Sequence, residues 1–179
     1  TSPDREYVIR YIENGGCERV LTDTFYVEGF DDASFSYGTL RICNNVDSLV
    51  PTLGADTGTF TWFGNFITDS IDVNPGTGTI YPANASLSLF DIVHTTNGNC
   101  PSMETVTIQV VNSPAPFSLI NYGDTLLEAS VTGGGFLRWF CDSTEVLSGT
   151  PLLPISMIGV YWATLTNSDG CTSMSNVIN

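Results

Sequence analysis

One short unit occurs three times in this chain, and it constrains the fold more than any other feature. Each copy is a β-type stretch, a turn rich in Asn and Gly, a cysteine, and a second β-type stretch. The copies cover residues 7–27, 90–111 and 160–178, with Cys17, Cys100 and Cys171 at equivalent places. Units repeated at domain-sized spacing indicate tandem modules of one architecture.

The strand pattern predicts an all-β fold. In the central copy, Val106, Ile108 and Val110 alternate with polar residues, which is typical of a half-buried strand. An Asn-Gly pair precedes this strand and favours a hairpin turn. Short strands separated by turn residues recur along the chain, and no stretch has sustained helical periodicity. We therefore predict tandem immunoglobulin-like β-sandwiches.

The repeat spacing also predicts where modules begin and end. We place one Ig-like domain at residues 29–113 and a second at 114–179, separated by the proline-containing stretch that begins at Asn112. Residues 1–28 contain only two strands, and a lone hairpin is marginally stable in water. We expect them to be the C-terminal hairpin of a truncated preceding Ig-like domain. The alternative is that they complete a sandwich in a neighbouring subunit.

Charge excludes several classes of partner. The chain has five Arg, no Lys and nineteen Asp plus Glu, with a net charge of −14. Nucleic acids and anionic membrane surfaces attract basic residues, so neither is an expected partner. No apolar run is long enough to span a bilayer, and we expect no membrane insertion.

No group of residues suggests catalysis. The only histidine, His94, lies three positions after Asp91, so the two side chains would face opposite sides of a strand. We expect His94 at the surface or at an edge. The acidic pairs Asp31–Asp32 and Asp69…Asp72 lack a full calcium-ligand spacing, and solvated loop carboxylates are the better expectation. We expect no enzyme activity, no metal and no cofactor.

Five cysteines in a small strand-rich chain indicate an oxidising compartment. Cys43 lies early in the first complete unit and Cys100 in its closing hairpin, so we predict a Cys43–Cys100 disulfide. Cys141 and Cys171 are the cysteines of the second unit, and we predict that they pair. Cys17 then has no partner within the chain and should be unpaired or bonded to an external cysteine.

Large aromatic residues are expected in the cores. Trp139 lies where a sandwich of this type commonly places its core tryptophan. Trp62, Phe63 and Phe66 could instead form a platform for stacking sugars, but filling the first core is the interpretation we favour.

Several of these motifs resemble a known class of repeats. The stretches Gly58-Thr-Phe, Asp72-Val-Asn-Pro-Gly-Thr-Gly-Thr-Ile and Asn97-Gly-Asn-Cys, together with Gly159-Val-Tyr-Trp-Ala-Thr-Leu-Thr-Asn-Ser-Asp-Gly-Cys, resemble the Ig-like and PKD-like repeat modules of large cell-surface adhesins and gliding-motility proteins of Bacteroidetes. The type IX secretion system exports such proteins. The Ig-like module of that class usually has an early cysteine, which is missing from the second unit here.

The resemblance implies a non-catalytic repeat segment of a secreted, cell-surface adhesin or gliding-type protein, acting in display, spacing and adhesion. Its partners would be neighbouring Ig-like domains and surface glycans. The resemblance also implies O-glycosylation at Asp-Ser/Thr motifs, which predicts sugar on Ser48, Ser70 and Thr125. The alternatives are a structural subunit of an extracellular filament assembled through shared strands, or a carbohydrate-binding appendage of a secreted enzyme.

Overall fold

The structure is a computed structural model that describes residues 5–13 and 19–179. The described residues form seventeen β-strands and one short 3₁₀ turn at Pro82–Asn84. Among them there is no helix long and apolar enough to cross a membrane. The prediction of an all-β chain is confirmed.

The first two strands form a two-stranded antiparallel sheet of their own. They are β1 (Arg5–Glu13) and β2 (Arg19–Val27), paired from Arg5–Val27 to Glu13–Arg19. Every residue of both strands is exposed to solvent. The predicted hairpin is therefore present, and it lies outside both hydrophobic cores.

The next eight strands build the first sandwich. They are β3 (Phe35–Ser36), β4 (Arg41–Cys43), β5 (Thr52–Leu53), β6 (Gly58–Gly64), β7 (Asp72–Val73), β8 (Ile80–Tyr81), β9 (Leu89–Thr96) and β10 (Met103–Val111). The main sheet has the order β4-β10-β9-β6, and the pairs β3–β5 and β7–β8 form two small sheets.

The β9–β10 hairpin supplies much of the first core. It joins the strands in antiparallel register, with Ile108 opposite Phe90. Phe90, Ile92 and Ile108 are fully buried, because period-2 alternation turns these side chains to the same face. Phe35, Tyr37, Ile42, Phe60, Ile71, Ile80 and Val110 complete this core.

The last seven strands build the second sandwich. They are β11 (Leu119–Asn121), β12 (Leu126–Ala129), β13 (Phe136–Cys141), β14 (Thr144–Ser148), β15 (Leu152–Pro154), β16 (Tyr161–Thr166) and β17 (Thr172–Met174). A sheet of order β11-β12-β15 packs on a sheet of order β14-β13-β16-β17.

Two aromatic residues give this sandwich its immunoglobulin-like character. Trp139 on β13 is fully buried, and its Nε1 donates a hydrogen bond to the carbonyl oxygen of Thr150 at 2.9 Å. Tyr161 begins β16 and donates its hydroxyl to the carbonyl oxygen of Met157 at 2.7 Å, the corner contact seen in such domains. The structure thus confirms the immunoglobulin-like fold class and places Trp139 in the core as expected.

Two expectations about side-chain placement are wrong. His94 is buried rather than at the surface: it stacks on Phe60 at 4.5 Å between ring centroids, and its Nδ1 lies 2.9 Å from the carbonyl oxygen of Ala33. Phe63 and Phe66 are 64% and 70% exposed rather than in the core. Phe63 alternates with buried Phe60 and half-buried Trp62 on β6, and Phe66 lies beyond the strand end.

Candidate functional site

The junction between the two sandwiches contains the one disulfide found in the described residues. It joins Cys43, at the end of β4, to Cys171, which lies just before β17. The Cα atoms are 5.6 Å apart, within the range that disulfides require. Cys171 is fully buried and Cys43 is half-buried. The bond connects positions separated by 128 residues and crosses from one sandwich to the other.

The predicted Cys43–Cys100 pair is wrong, because the two residues lie at opposite ends of the same sheet. Strand β4 runs parallel to the end of β10, with Cys43 beside Val111. Cys100 lies in the turn that precedes Met103, the first residue of β10. A nine-residue strand separates the two ends by about 25–30 Å, and a disulfide cannot span that distance.

The predicted Cys141–Cys171 pair is wrong for a similar reason. Cys141 lies opposite Tyr161, the first residue of β16, in the β13–β16 register. Cys171 follows Thr166, the last residue of β16. The length of that strand separates them. Cys141 is instead a free, buried thiol, and Cys100 is a free, half-buried thiol. Cys17 lies outside the described residues, so its predicted lack of a partner within the chain stays a prediction.

The turn before Cys171 is shaped by Asn167. Its side-chain oxygen accepts hydrogen bonds from the backbone N–H groups of Asp169 and Cys171, both at 3.0 Å. Gly170 has a φ of +83°, a conformation that favours glycine. The Asn-Ser-Asp-Gly-Cys sequence therefore folds into a tight turn that presents the cysteine toward the first sandwich.

Polar contacts tie this turn to the residues that flank Cys43. Arg41 and Asp169 form an ion pair with both side chains partly exposed. Asn45 Nδ2 donates to the carbonyl oxygen of Thr172 at 2.8 Å. An exposed ion pair contributes about 0–1 kcal/mol, so the covalent bond is the main connection and these contacts orient it.

The connecting segment is fixed to both sides of the junction. Ser113 donates its backbone N–H to Asn44 Oδ1 at 2.9 Å and its hydroxyl to Asn45 Oδ1 at 2.7 Å. Asn167 Nδ2 donates to the carbonyl oxygen of Asn112 at 2.7 Å. Ser113 is also buried. The stretch predicted as a stiff linker is thus hydrogen-bonded to the first sandwich and to the turn of the second.

The corresponding turn of the first sandwich contacts the chain that enters that sandwich. Asp31 donates its backbone N–H to the carbonyl oxygen of Cys100 at 2.9 Å, and Gly98 donates to Asp31 Oδ2 at 2.9 Å. The Cys100 Sγ lies 4.0 Å from the carbonyl oxygen of Glu28. The turns before Cys100 and Cys171 therefore each pack against the segment that leads into their own sandwich.

Two of the acidic residues considered for calcium, Asp32 and Asp69, accept hydrogen bonds from nearby backbone N–H groups. Asp32 Oδ1 accepts the backbone N–H of Ser34 at 3.0 Å, and hydrogen bonds from Ser34 lower the pKa of Asp32. Asp69 Oδ2 accepts the backbone N–H of Phe66 at 3.0 Å and the hydroxyl of Ser88 at 2.8 Å. In the described part of the chain, no three potential metal ligands come together.

The three predicted glycosylation residues are all at the surface. Ser48, Ser70 and Thr125 are exposed, as a residue that bears a glycan must be. Their modification stays a prediction.

Sequence reasoning missed the disulfide between the sandwiches, although one feature pointed to it. The second unit has a hairpin cysteine, Cys171, but no early cysteine to pair with it. That absence favours a partner outside the unit, and Cys43 lies at the end of the first sandwich that faces the second.

Comparison with models of known protein families gave no match, and comparison with curated protein sequences gave none. Several solved structures are loosely similar in shape. The CD2-binding domain of CD58 has 11% identity and a TM-score of 0.38, covering 78% of this chain and 96% of its own. Extracellular domains 3–5 of Drosophila OTK have 15% identity and a TM-score of 0.41, covering 95% of this chain and 68% of their own. With TM-scores this low, neither structure supports a statement about binding.

Proposed function

We propose that the chain is a non-catalytic segment of an exported bacterial surface protein of the adhesin or gliding type, and that it acts in display, spacing and adhesion. The observation that carries this proposal is the junction, where a disulfide and several hydrogen bonds fix one immunoglobulin-like sandwich to the next. A spacer needs a defined length and direction, which such a junction supplies. A disulfide also suits an extracellular location.

Adhesion to surface glycans is part of this proposal. Phe63 on β6, an edge strand of the main sheet of the first sandwich, and Phe66 just beyond its end are exposed aromatic side chains. Exposed aromatic rings stack on sugar rings and dominate many interfaces. The carboxylates of the chain give it a strongly acidic surface, which favours neutral or cationic partners over anionic ones.

Antibody labelling of the source cells tests the proposal. Antibodies raised against residues 29–179 should label intact cells, and the soluble segment should compete with the cells for an adhesive surface. Replacing Phe63 and Phe66 by Ala should abolish this competition, whereas the matched control Leu87→Ala, also at an exposed apolar position, should not. Labelling only after permeabilisation would contradict the proposal.

A second candidate, a filament subunit that shares strands with its neighbour, is favoured by the β1–β2 hairpin. One face of the hairpin is mostly apolar, and Tyr7 stacks on Phe25 at 5.3 Å between ring centroids. All of these residues are exposed. Exposed apolar faces and free strand edges favour pairing with another chain.

Electron microscopy and light scattering over a range of protein concentrations test this candidate. Tyr7→Lys together with Phe25→Lys should abolish assembly, because the paired residues lie on the apolar face. Val8→Lys together with Thr24→Lys is the matched control, since that cross-strand pair lies on the opposite face. A protein that stays monomeric at every concentration would exclude the filament.

A further inference from the structure

The disulfide divides the covalent chain in an unusual way. Cys43 precedes most of the first sandwich, and Cys171 precedes only the last strand of the second. The bond between them therefore closes a loop that contains β5 to β16. Outside this loop lie the chain up to Cys43 and the short C-terminal stretch from Cys171 to Asn179.

Most of both cores lies inside the closed loop. Phe90, Ile92 and Ile108 of the first core and Leu127 and Trp139 of the second are fully buried, and all five lie between the two cysteines. The proline-containing connection at residues 112–116 also lies inside. A pull on the two chain ends therefore does not pass through these residues.

We propose that the Cys43–Cys171 disulfide is a mechanical clamp, through which tension applied at the chain ends bypasses most of both sandwich cores and the segment that connects them. Tension follows the covalent path, so it passes along β4 to Cys43, across the sulfur–sulfur bond to Cys171, and out along β17. The core residues inside the closed loop then do not have to resist the pull. This inference extends the proposed function, because it states how a spacer under load keeps its length.

The contacts around the bond keep this path in place. Cys43 ends β4, which pairs in parallel with the end of β10, so the path enters the junction at the edge of a sheet. Asn45 donates to the carbonyl oxygen of Thr172, the residue after Cys171, and this hydrogen bond crosses the junction beside the disulfide. Arg41 and Asp169, each two positions before one of the bonded cysteines, form an ion pair across the junction as well. Thr172 is the first residue of β17, which pairs with β16.

Single-molecule stretching of the oxidised protein, held by peptide tags at its two ends, measures the clamp directly. A fully extended chain spans about 3.3–3.6 Å per residue, so all 179 residues reach roughly 590–640 Å. With the disulfide closed, the segment from Cys43 to Cys171, a sequence separation of 128, cannot extend, and the maximum end-to-end length falls to roughly 170–185 Å. We expect the shorter maximum length without reductant and the longer maximum length after a phosphine reductant is added.

Three variants complete the experiment. Cys171→Ser should give the longer limit even without reductant, whereas Cys100→Ser and Cys141→Ser should keep the shorter one. The result for Cys171→Ser does not depend on folding, because a chain that lacks this cysteine cannot form the bond. An oxidised protein that extends to the longer limit, or to an intermediate one, would overturn the proposal. Surface labelling of cells is independent of this result, so a failure of the clamp and a failure of the proposed location are distinguishable.

Discussion

The Tyr37 hydroxyl lies in the first core and donates a hydrogen bond to the carbonyl oxygen of Gly78 at 2.6 Å. Burial disfavours the charged phenolate and raises the pKa of Tyr37 to about 12, from an ordinary value of 10.0. The neutral hydroxyl therefore stabilises the fold. That contribution is fully present below the pKa of the unfolded chain, near pH 10, and is lost as the pH rises toward 12.

This placement predicts a pH dependence that one substitution changes. The free energy of unfolding of the native sequence should fall between pH 10 and pH 12. The free energy of unfolding of the Tyr37→Phe variant should fall less steeply, because the variant lacks the titrating hydroxyl. Urea unfolding curves measured at intervals across this range give the comparison. Equal slopes of unfolding free energy against pH for the two proteins would contradict the assignment of this pH dependence to Tyr37.

Another buried polar residue, His94, shows how a single side chain can be misjudged. Its ring stacks on Phe60 and contacts Phe35 edge-on, and its Nδ1 is within hydrogen-bond distance of the Ala33 carbonyl. The sequence correctly placed His94 and Asp91 on opposite faces of β9. It could not show which face was buried, because aromatic neighbours from other strands decide this.

At the scale of elements, the turn between β7 and β8 depends on one glycine. Asn74 caps the turn by accepting the backbone N–H groups of Gly76 and Thr77 at its side-chain oxygen. Gly78 has a φ of +69°, and a Cβ atom there would lie 2.7 Å from the Phe60 ring. Both the backbone conformation and the close ring oppose any larger residue.

We therefore predict that Gly78→Ala lowers the free energy of unfolding by about 1–3 kcal/mol, through strain at positive φ and overpacking against Phe60. Gly76→Ala is the matched control, since a Cβ there meets no atom closer than 3.6 Å. It should change stability by less than about 1 kcal/mol in either direction. Chemical denaturation of the two variants compares them, and equal losses would refute the explanation.

At the scale of the whole molecule, a disulfide and an ion pair both connect the segment around Cys43 to the segment around Cys171. They contribute very different amounts to the free energy of unfolding. The Cys43–Cys171 bond closes a long loop, which the chain-entropy account values at about 5 kcal/mol. The pair of Arg41 and Asp169 is partly exposed and contributes about 0–1 kcal/mol.

Cys171→Ser should therefore lower the free energy of unfolding by several kcal/mol, to the same level as reduction of the native protein. Arg41→Ala should change it by less than about 1 kcal/mol. Guanidinium unfolding with and without reductant measures both effects. A reductant-insensitive native protein would show that the bond does not form, and peptide mapping without reduction would identify any other pair.

The amino-acid sequence by itself determined the strands and the fold class. Alternation along β9 and β10, Asn and Gly in the turns, and Trp139 on β13 are local signals, because a side chain's face on a strand follows from its position. The core tryptophan and the closing hairpins were predictable for that reason. The exposed Phe63 was not, because the alternation on β6 was compatible with either face.

Only the tertiary structure decided which cysteines pair. Strand β4 has three residues, too few for a periodic pattern, so its parallel register with β10 could not be foreseen. That register places Cys43 at the end of the sheet that faces the second sandwich. The Asn167 turn places Cys171 next to it. A disulfide forms where Cα atoms come within about 7 Å, and this proximity depends on how strand ends meet in space rather than on their order in the chain.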